Sequence, residues 1–116
     1  MKKLLISLAT CLLLTPAFAA AKDMTFTGEI MDEACAQGGG HESMFKKMGT
    51  NDAKACTLAC VKGGSKFVLF DPSSKTFHSL DNQTKPRAFA GQKVVVTGSL
   101  DKTGKTIHVT SIKAAS

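Results

Sequence analysis

Between Cys35 and Cys60 the chain, CAQGGGHESMFKKMGTNDAKACTLAC, abandons the alternation of apolar and polar residues that marks the segments on either side. This interruption constrains the fold most strongly, because a period of two belongs to strands and a spacing near 3.6 cannot continue them. The same stretch holds every cysteine after Cys11, together with His41, Met44 and Met48. Chemistry carried by sulfur or imidazole is therefore confined to one inserted segment.

On its N-terminal side, Met24, Phe26, Gly28 and Ile30 alternate with Thr25, Thr27, Glu29 and Met31, which predicts a strand over 24–31. Gly28 in its middle predicts a bulge or a sharp bend, as at a barrel corner. Within the insertion, about 32–64, Gly38-Gly39-Gly40 reads as a flexible break and His41–Met48 as a short helix stopped by Gly49. Thr50-Asn51-Asp52 caps a second helix, Ala53–Lys62, which Gly63-Gly64 ends. Beyond it, strands over 66–70 and 76–80 form a hairpin around Asp71-Pro72-Ser73-Ser74. A helical turn follows Pro86, and strands over 92–100 and 105–112 form a second hairpin around Asp101-Lys102-Thr103-Gly104.

Five short strands with a small helix between the third and fourth match the oligonucleotide/oligosaccharide-binding (OB) barrel. The expectation is a mainly β protein with one domain over 20–116. It is a small five-stranded OB-like barrel whose short helical, Cys/His-bearing insertion lies between strands 1 and 2. Val94-Val95-Val96 fits such a barrel, since these side chains cannot all face one core unless the strand is covered at one end.

The first nineteen residues read as a signal peptide. Lys2 and Lys3 form its positive end, Leu4–Leu14 its apolar run, and Ala17-Phe18-Ala19 its cleavage pattern, so the mature chain is expected to begin at Ala20. The apolar run is short for a membrane span, and no transmembrane segment is expected in the mature chain. Leu8-Ala9-Thr10-Cys11 loosely resembles a lipoprotein box, but the apolar run continues past it through Leu14, so Cys11 is expected to leave with the leader. The protein is thus expected to be exported, periplasmic or secreted outside the cell.

Removing Lys2 and Lys3 with no acid lowers the formal charge from +6 to +4, and the remaining basic residues are scattered. There is no Trp and no Tyr to stack on bases or sugars. Nucleic acid is not an expected partner. An unidentified protein or small molecule of the cell envelope is.

Three mature cysteines cannot all pair within one chain. Cys56 and Cys60 lie four apart on a predicted helix, so both side chains project from one face. That spacing suits two ligands of one ion, or two alternative disulfide partners for Cys35. It suits a bond between themselves less well. A bridge from Cys35 would close a loop of more than twenty residues and stabilise the insertion by about 3 kcal/mol. Thioredoxin-like exchange is disfavoured because the spacing is not Cys-x-x-Cys and Cys60 sits toward the negative helix end. Val61 stands where a haem-attachment motif needs His, so no haem is expected. No glycine-rich loop cradles phosphate, so no nucleotide is expected either.

Metal is the other use of the cluster. Cys35, His41, Cys56 and Cys60 make a three-thiolate, one-imidazole set appropriate to zinc. Met44 or Met48 would soften it toward copper(I). The bland alternatives are that Met44, Phe45 and Met48 are core side chains at helical spacing, and that His41 is a solvated helix start near Glu42. His78 and His108 read as surface strand residues, and Asp32, Glu33 and Asp52 as turn and cap residues.

The segments GEIMDEAC (Gly28–Cys35), ACTLACVKGGSKFVLF (Ala55–Phe70) and AGQKVVVTGSLDKTGKTIHVTSI (Ala90–Ile112) resemble a family of small uncharacterised exported bacterial proteins. Its pattern is a Gly-x-Ile-x-Asp-x-x-Cys start, a His, a Cys-x-x-x-Cys pair and an OB-like C-terminal half. The resemblance covers essentially the whole mature chain. It implies export and architecture, assigns no reaction, and places Cys35, His41, Cys56 and Cys60 at the family's shared polar positions. Some relatives carry a His three residues before the cysteine pair, where this chain has Ala53.

No grouping of Ser, His and acid and no paired carboxylates suggest an enzyme. The expected function is a non-catalytic exported module that binds zinc or copper. A disulfide-stapled ligand- or protein-binding module comes second, and a thiol redox partner third.

Overall fold

The computed structural model describes residues 22–116. The predicted leader, with Cys11 and the cleavage point at Ala20, lies outside these residues. The order of elements is β1 (Met24–Asp32), α1 (Glu33–Gln37), α2 (Glu42–Met48), α3 (Ala53–Lys62), β2 (Phe67–Asp71), β3 (Thr76–Leu80), a 3₁₀ helix (Lys85–Phe89), β4 (Lys93–Leu100) and β5 (Thr106–Ala114). The strands run in the order β1-β2-β3-β5-β4, and β4 returns to β1, so the five-stranded sheet closes in a ring. The helical insertion falls between β1 and β2, as expected.

β1 bridges the two halves of this sheet. Its first part, Met24 to Glu29, pairs with β4, and its last part, Glu29 to Asp32, pairs with β2. Gly28 sits where the strand changes neighbours. It carries no bulge; instead a Cβ there would stand 2.5 Å from the Phe70 carbonyl oxygen, so the glycine permits close approach of two backbones. The slip in register lies in the second hairpin, where Thr97 faces Ser111 but Gly98 faces Val109.

The ring is narrowest at β3 and β5, whose parallel pairing covers only Ser79↔Thr106 and Leu80↔Ile107. Side chains just after β3 add ties, Gln83 to β2 and β3 and Asp81 to β5. The Gln83 carbonyl oxygen accepts from Phe67 N at 2.8 Å, and its amide donates to Phe67 O and Leu80 O. Asp81 accepts from Val109 N at 2.9 Å and contacts His108 Nδ1 at 3.1 Å.

Alternation sorts the side chains into two apolar clusters on opposite faces of the sheet. Ile30, Phe67, Leu69, Leu80, Val94, Val96 and Ile107 fill the ring, with Ala90 beside them. Burial of each large aliphatic or aromatic side chain stabilises the fold by about 1.5–3 kcal/mol. Met31, Val68 and Phe70 point the other way and pack against Cys35, Ala36 and Cys56 of the helices. β2 is therefore covered on both faces, which is why Phe67 to Phe70 are all buried although they are consecutive.

The helices begin and end on local chemistry. Asp32 Oδ2 accepts from Cys35 N at 2.9 Å and Asp52 Oδ1 from Ala55 N at 3.1 Å, so both aspartates are N-caps, Asp52 of the helix expected from the sequence and Asp32 of one that was not. α1 was not predicted, because five residues are too few to display a periodicity. Gly39 N and Gly40 N donate to Ala36 O and Cys35 O, so the triple glycine closes α1 rather than forming a loose break. Gly91, with φ 74°, donates to Ile30 O at 2.8 Å and lies against the Ala53–Lys54 backbone, which seats the start of α3 on the ring.

Candidate metal centre

Two elements meet over β1 and β2 to form the site. Asp32 ends β1 and caps α1, and this cap places Cys35 in the first turn facing the sheet. α3 presents Cys56 and Cys60 from consecutive turns of one face. Cys35 Sγ and Cys56 Sγ are 4.0 Å apart, and one ligand atom from each of Cys35, Cys56 and Cys60 lies within 4.8 Å of the others. The three cysteines are unpaired: Cys35 and Cys56 are buried and Cys60 is half-buried.

His41 immediately precedes α2 and is only 7% exposed. Its ring stacks on Phe45, with centroids 5.1 Å apart and planes inclined by 12°. A ring nitrogen of His41, the Cys35 sulfur and an Asp32 oxygen also lie within 4.8 Å of one another. Two triads therefore share Cys35. His41 is grouped with Asp32 and Cys35 and not with the other two sulfurs, so the sequence-predicted set of Cys35, His41, Cys56 and Cys60 is linked through Cys35 rather than closed around one point.

Asp32 is the member that the sequence suggested only as a turn or cap residue. It does cap, through Oδ2, but Oδ1 is buried without a hydrogen-bond partner. The signal for it was its position three residues before Cys35, one helical turn away in the Asp-x-x-Cys pattern. Met44 packs against the cluster of Met31, Val68 and Phe70, whereas Met48 is 44% exposed. His78 stacks obliquely on Phe26, and His108 pairs with Asp81 at the surface, both far in sequence from the insertion.

Polar atoms in this site lack partners. Both ring nitrogens of His41 are buried without a hydrogen bond, and Nε2 approaches Glu29 Oε1 only to 3.5 Å. A buried imidazole is normally satisfied at one nitrogen at least. Burial raises the Cys35 thiol far above its ordinary range, and the Asp32 carboxylate adds to this. Burial also raises Cys60, with the charge of Asp32 as the next cause. Without a cation these sulfurs are thiols, and a negative carboxylate beside them opposes ionisation. A bound cation reverses both effects, since it favours thiolate and satisfies the carboxylate and imidazole together.

The spacing suits such an ion. Zinc–sulfur bonds of about 2.3 Å in a tetrahedron place the sulfurs about 3.8 Å apart. The 4.0 Å between Cys35 and Cys56 needs only a small contraction, and Cys60 lies within 4.8 Å of both. Beside the cluster lies a cleft of about 560 Å³ bordered by Glu29, His41, Phe45, Asn51, Phe70 and Lys75. Neither Asp32 nor any of the three cysteines lines it, whereas His41 does.

Comparison with protein-family models, curated proteins and solved structures finds no match for this chain. Fold and site alone define its class: a small β protein with a ring-closed sheet and a buried Cys/His/Asp cluster within metal-binding distance.

Proposed function

We propose that this protein is an exported, non-catalytic module that holds a transition metal, zinc or copper, through Cys35, Cys56, Cys60 and His41, with Asp32 beside them. The observation that carries this reading is the convergence of three buried or half-buried sulfurs with an imidazole and a carboxylate whose buried polar atoms have no protein partner. An apolar core would not gather such atoms, because each unpaired one costs about 1–3 kcal/mol. Export is supported by the leader pattern of Lys2-Lys3, Leu4–Leu14 and Ala17-Phe18-Ala19. No helix among the described residues is long and apolar enough to cross a membrane.

A second reading has one observation in its favour. The 4.0 Å separation of Cys35 and Cys56 is short enough for a modest shift to join them in a disulfide, leaving Cys60 free. The protein would then be a stapled envelope module whose working surface is the sheet. A thiol redox partner is third, because buried thiols held protonated make poor nucleophiles.

Native mass spectrometry with thiol counting on protein purified from the periplasm separates the three. Bound zinc or copper, with three alkylatable cysteines after metal removal, is the expected result. A mass lower by two hydrogens, one free thiol and no metal would establish the stapled module instead. A thiol that cycles with a mild reductant would establish the redox partner.

A further inference from the structure

We infer that Glu29 is a positioning residue of the metal site, holding His41 in the tautomer that carries its proton on Nε2 and leaves Nδ1 free for the ion. This rests on the metal-binding reading above and adds a residue to it. The alternation of β1 sends Ile30 into the ring and turns Glu29 and Met31 toward the helices. Glu29 therefore stands on the sheet face that the insertion covers, with only 20% of its side chain exposed.

Its carboxylate has few claimants. Lys93 faces it in the β1–β4 register, yet the ion pairs among the described residues are His41–Glu29 and Asp81–His108, and none joins Lys93 to Glu29. The side chain paired with Glu29 Oε1 is His41, whose Nε2 stands 3.5 Å away, just beyond a hydrogen bond. The two nitrogens of an imidazole point away from one another, so with Nε2 drawn to Glu29 it is Nδ1 that is left for an ion shared with Cys35 and Asp32. Asp32 Oδ2 is occupied by Cys35 N, and its unpartnered Oδ1 belongs to the Asp32–Cys35–His41 triad that would face the ion. Stacking on Phe45 fixes the plane of the ring, and Glu29 then decides which nitrogen is protonated. Metal-bound histidines generally donate their second N–H to a carboxylate, carbonyl or water, and loss of that partner weakens metal binding by roughly 10- to 100-fold.

The test uses the mature protein labelled with ¹⁵N, with ¹¹³Cd as the metal probe. Histidine ¹⁵N spectra of the metal-free protein are expected to show His41 as the Nε2–H tautomer. With cadmium bound, coupling to the metal is expected at Nδ1. Glu29→Ala is expected to yield a mixture of tautomers and a cadmium affinity lower by roughly 10- to 100-fold. Glu29→Gln, whose carbonyl still accepts the N–H, is expected to restore the single tautomer. Coupling at Nε2, or an Ala variant with the wild-type tautomer, overturns the inference. Absence of sulfur-to-cadmium charge-transfer absorption would overturn the metal reading instead, and the metal-free spectra would still decide whether Glu29 sets the tautomer.

Discussion

Asp32 carries two tasks within one side chain. Oδ2 caps α1, and the buried carboxylate raises the thiols of Cys35 and Cys60. These separate under substitution. Asp32→Asn keeps a capping oxygen and removes the charge, so Cys60 in the metal-free protein should be alkylated faster at a fixed pH than in the wild type. Asp32→Ala should in addition lose about 1 kcal/mol from the missing cap, read as a lower urea midpoint. Unchanged alkylation in Asp32→Asn would show that burial alone holds the thiol protonated. The pattern Gly-x-Ile-x-Asp-x-x-Cys gains a physical reading here. Gly28 admits the β2 backbone, Ile30 enters the ring, Asp32 caps the helix and Cys35 faces α3. Its hydrophobic and capping parts were legible as text. The second use of Asp32 was not, because a cap explained the residue fully until its unpartnered oxygen was seen.

Among the elements, α3 decides the geometry of the site, since it supplies two of three sulfurs. Its seat is the turn after the 3₁₀ helix. Gly91 adopts φ 74°, and a Cβ there would lie 2.5 Å from Lys54 N, so any side chain must push α3 outward. Gly91→Ala should therefore cost about 1–3 kcal/mol of stability through backbone strain and displacement. It should also weaken sulfur-to-cadmium absorption while leaving the β spectrum in circular dichroism. Full cadmium absorption in this variant would show that α3 is held by its sheet contacts alone. Helix α2 was legible through its glycine stop and α3 through its cap and glycine stop, β2 as a short apolar run and the other strands through their β patterning and turns. α1 was not, for its one diagnostic residue lies in the strand before it. Of the bulge or sharp bend expected at Gly28, the bulge is absent and the register slip lies in the second hairpin, while Gly28 marks where β1 passes from β4 to β2.

At the scale of the molecule, ring closure depends on a weak seam. β3 and β5 share two register pairs, and Asp81 supplements them through Val109 N and His108. The hydrogen bond from Val109 N lowers the Asp81 pKa, against a smaller effect of burial and with help from His108. A depressed carboxylate stabilises the fold above the unfolded value of about 3.9 and loses that contribution as pH falls through the lower folded value. Acidification below about pH 4 should accordingly lower the urea midpoint. Asp81→Asn should flatten part of that slope, and an identical slope in the variant would remove Asp81 from the account.

The amino-acid sequence by itself determined what is encoded within a few residues: periodicity, caps, turns and the placing of Cys56 and Cys60 on one helical face. Only the tertiary structure decided that Cys35 meets Cys56 across 21 residues, that His41 joins through Asp32 and Cys35, and that Glu29 stands beside the ring. The physical reason lies in range. Local hydrogen bonds and side-chain periodicity act over one turn or one pleat, whereas these distances exist only after β1 has paired on both sides and the sheet has closed beneath the insertion.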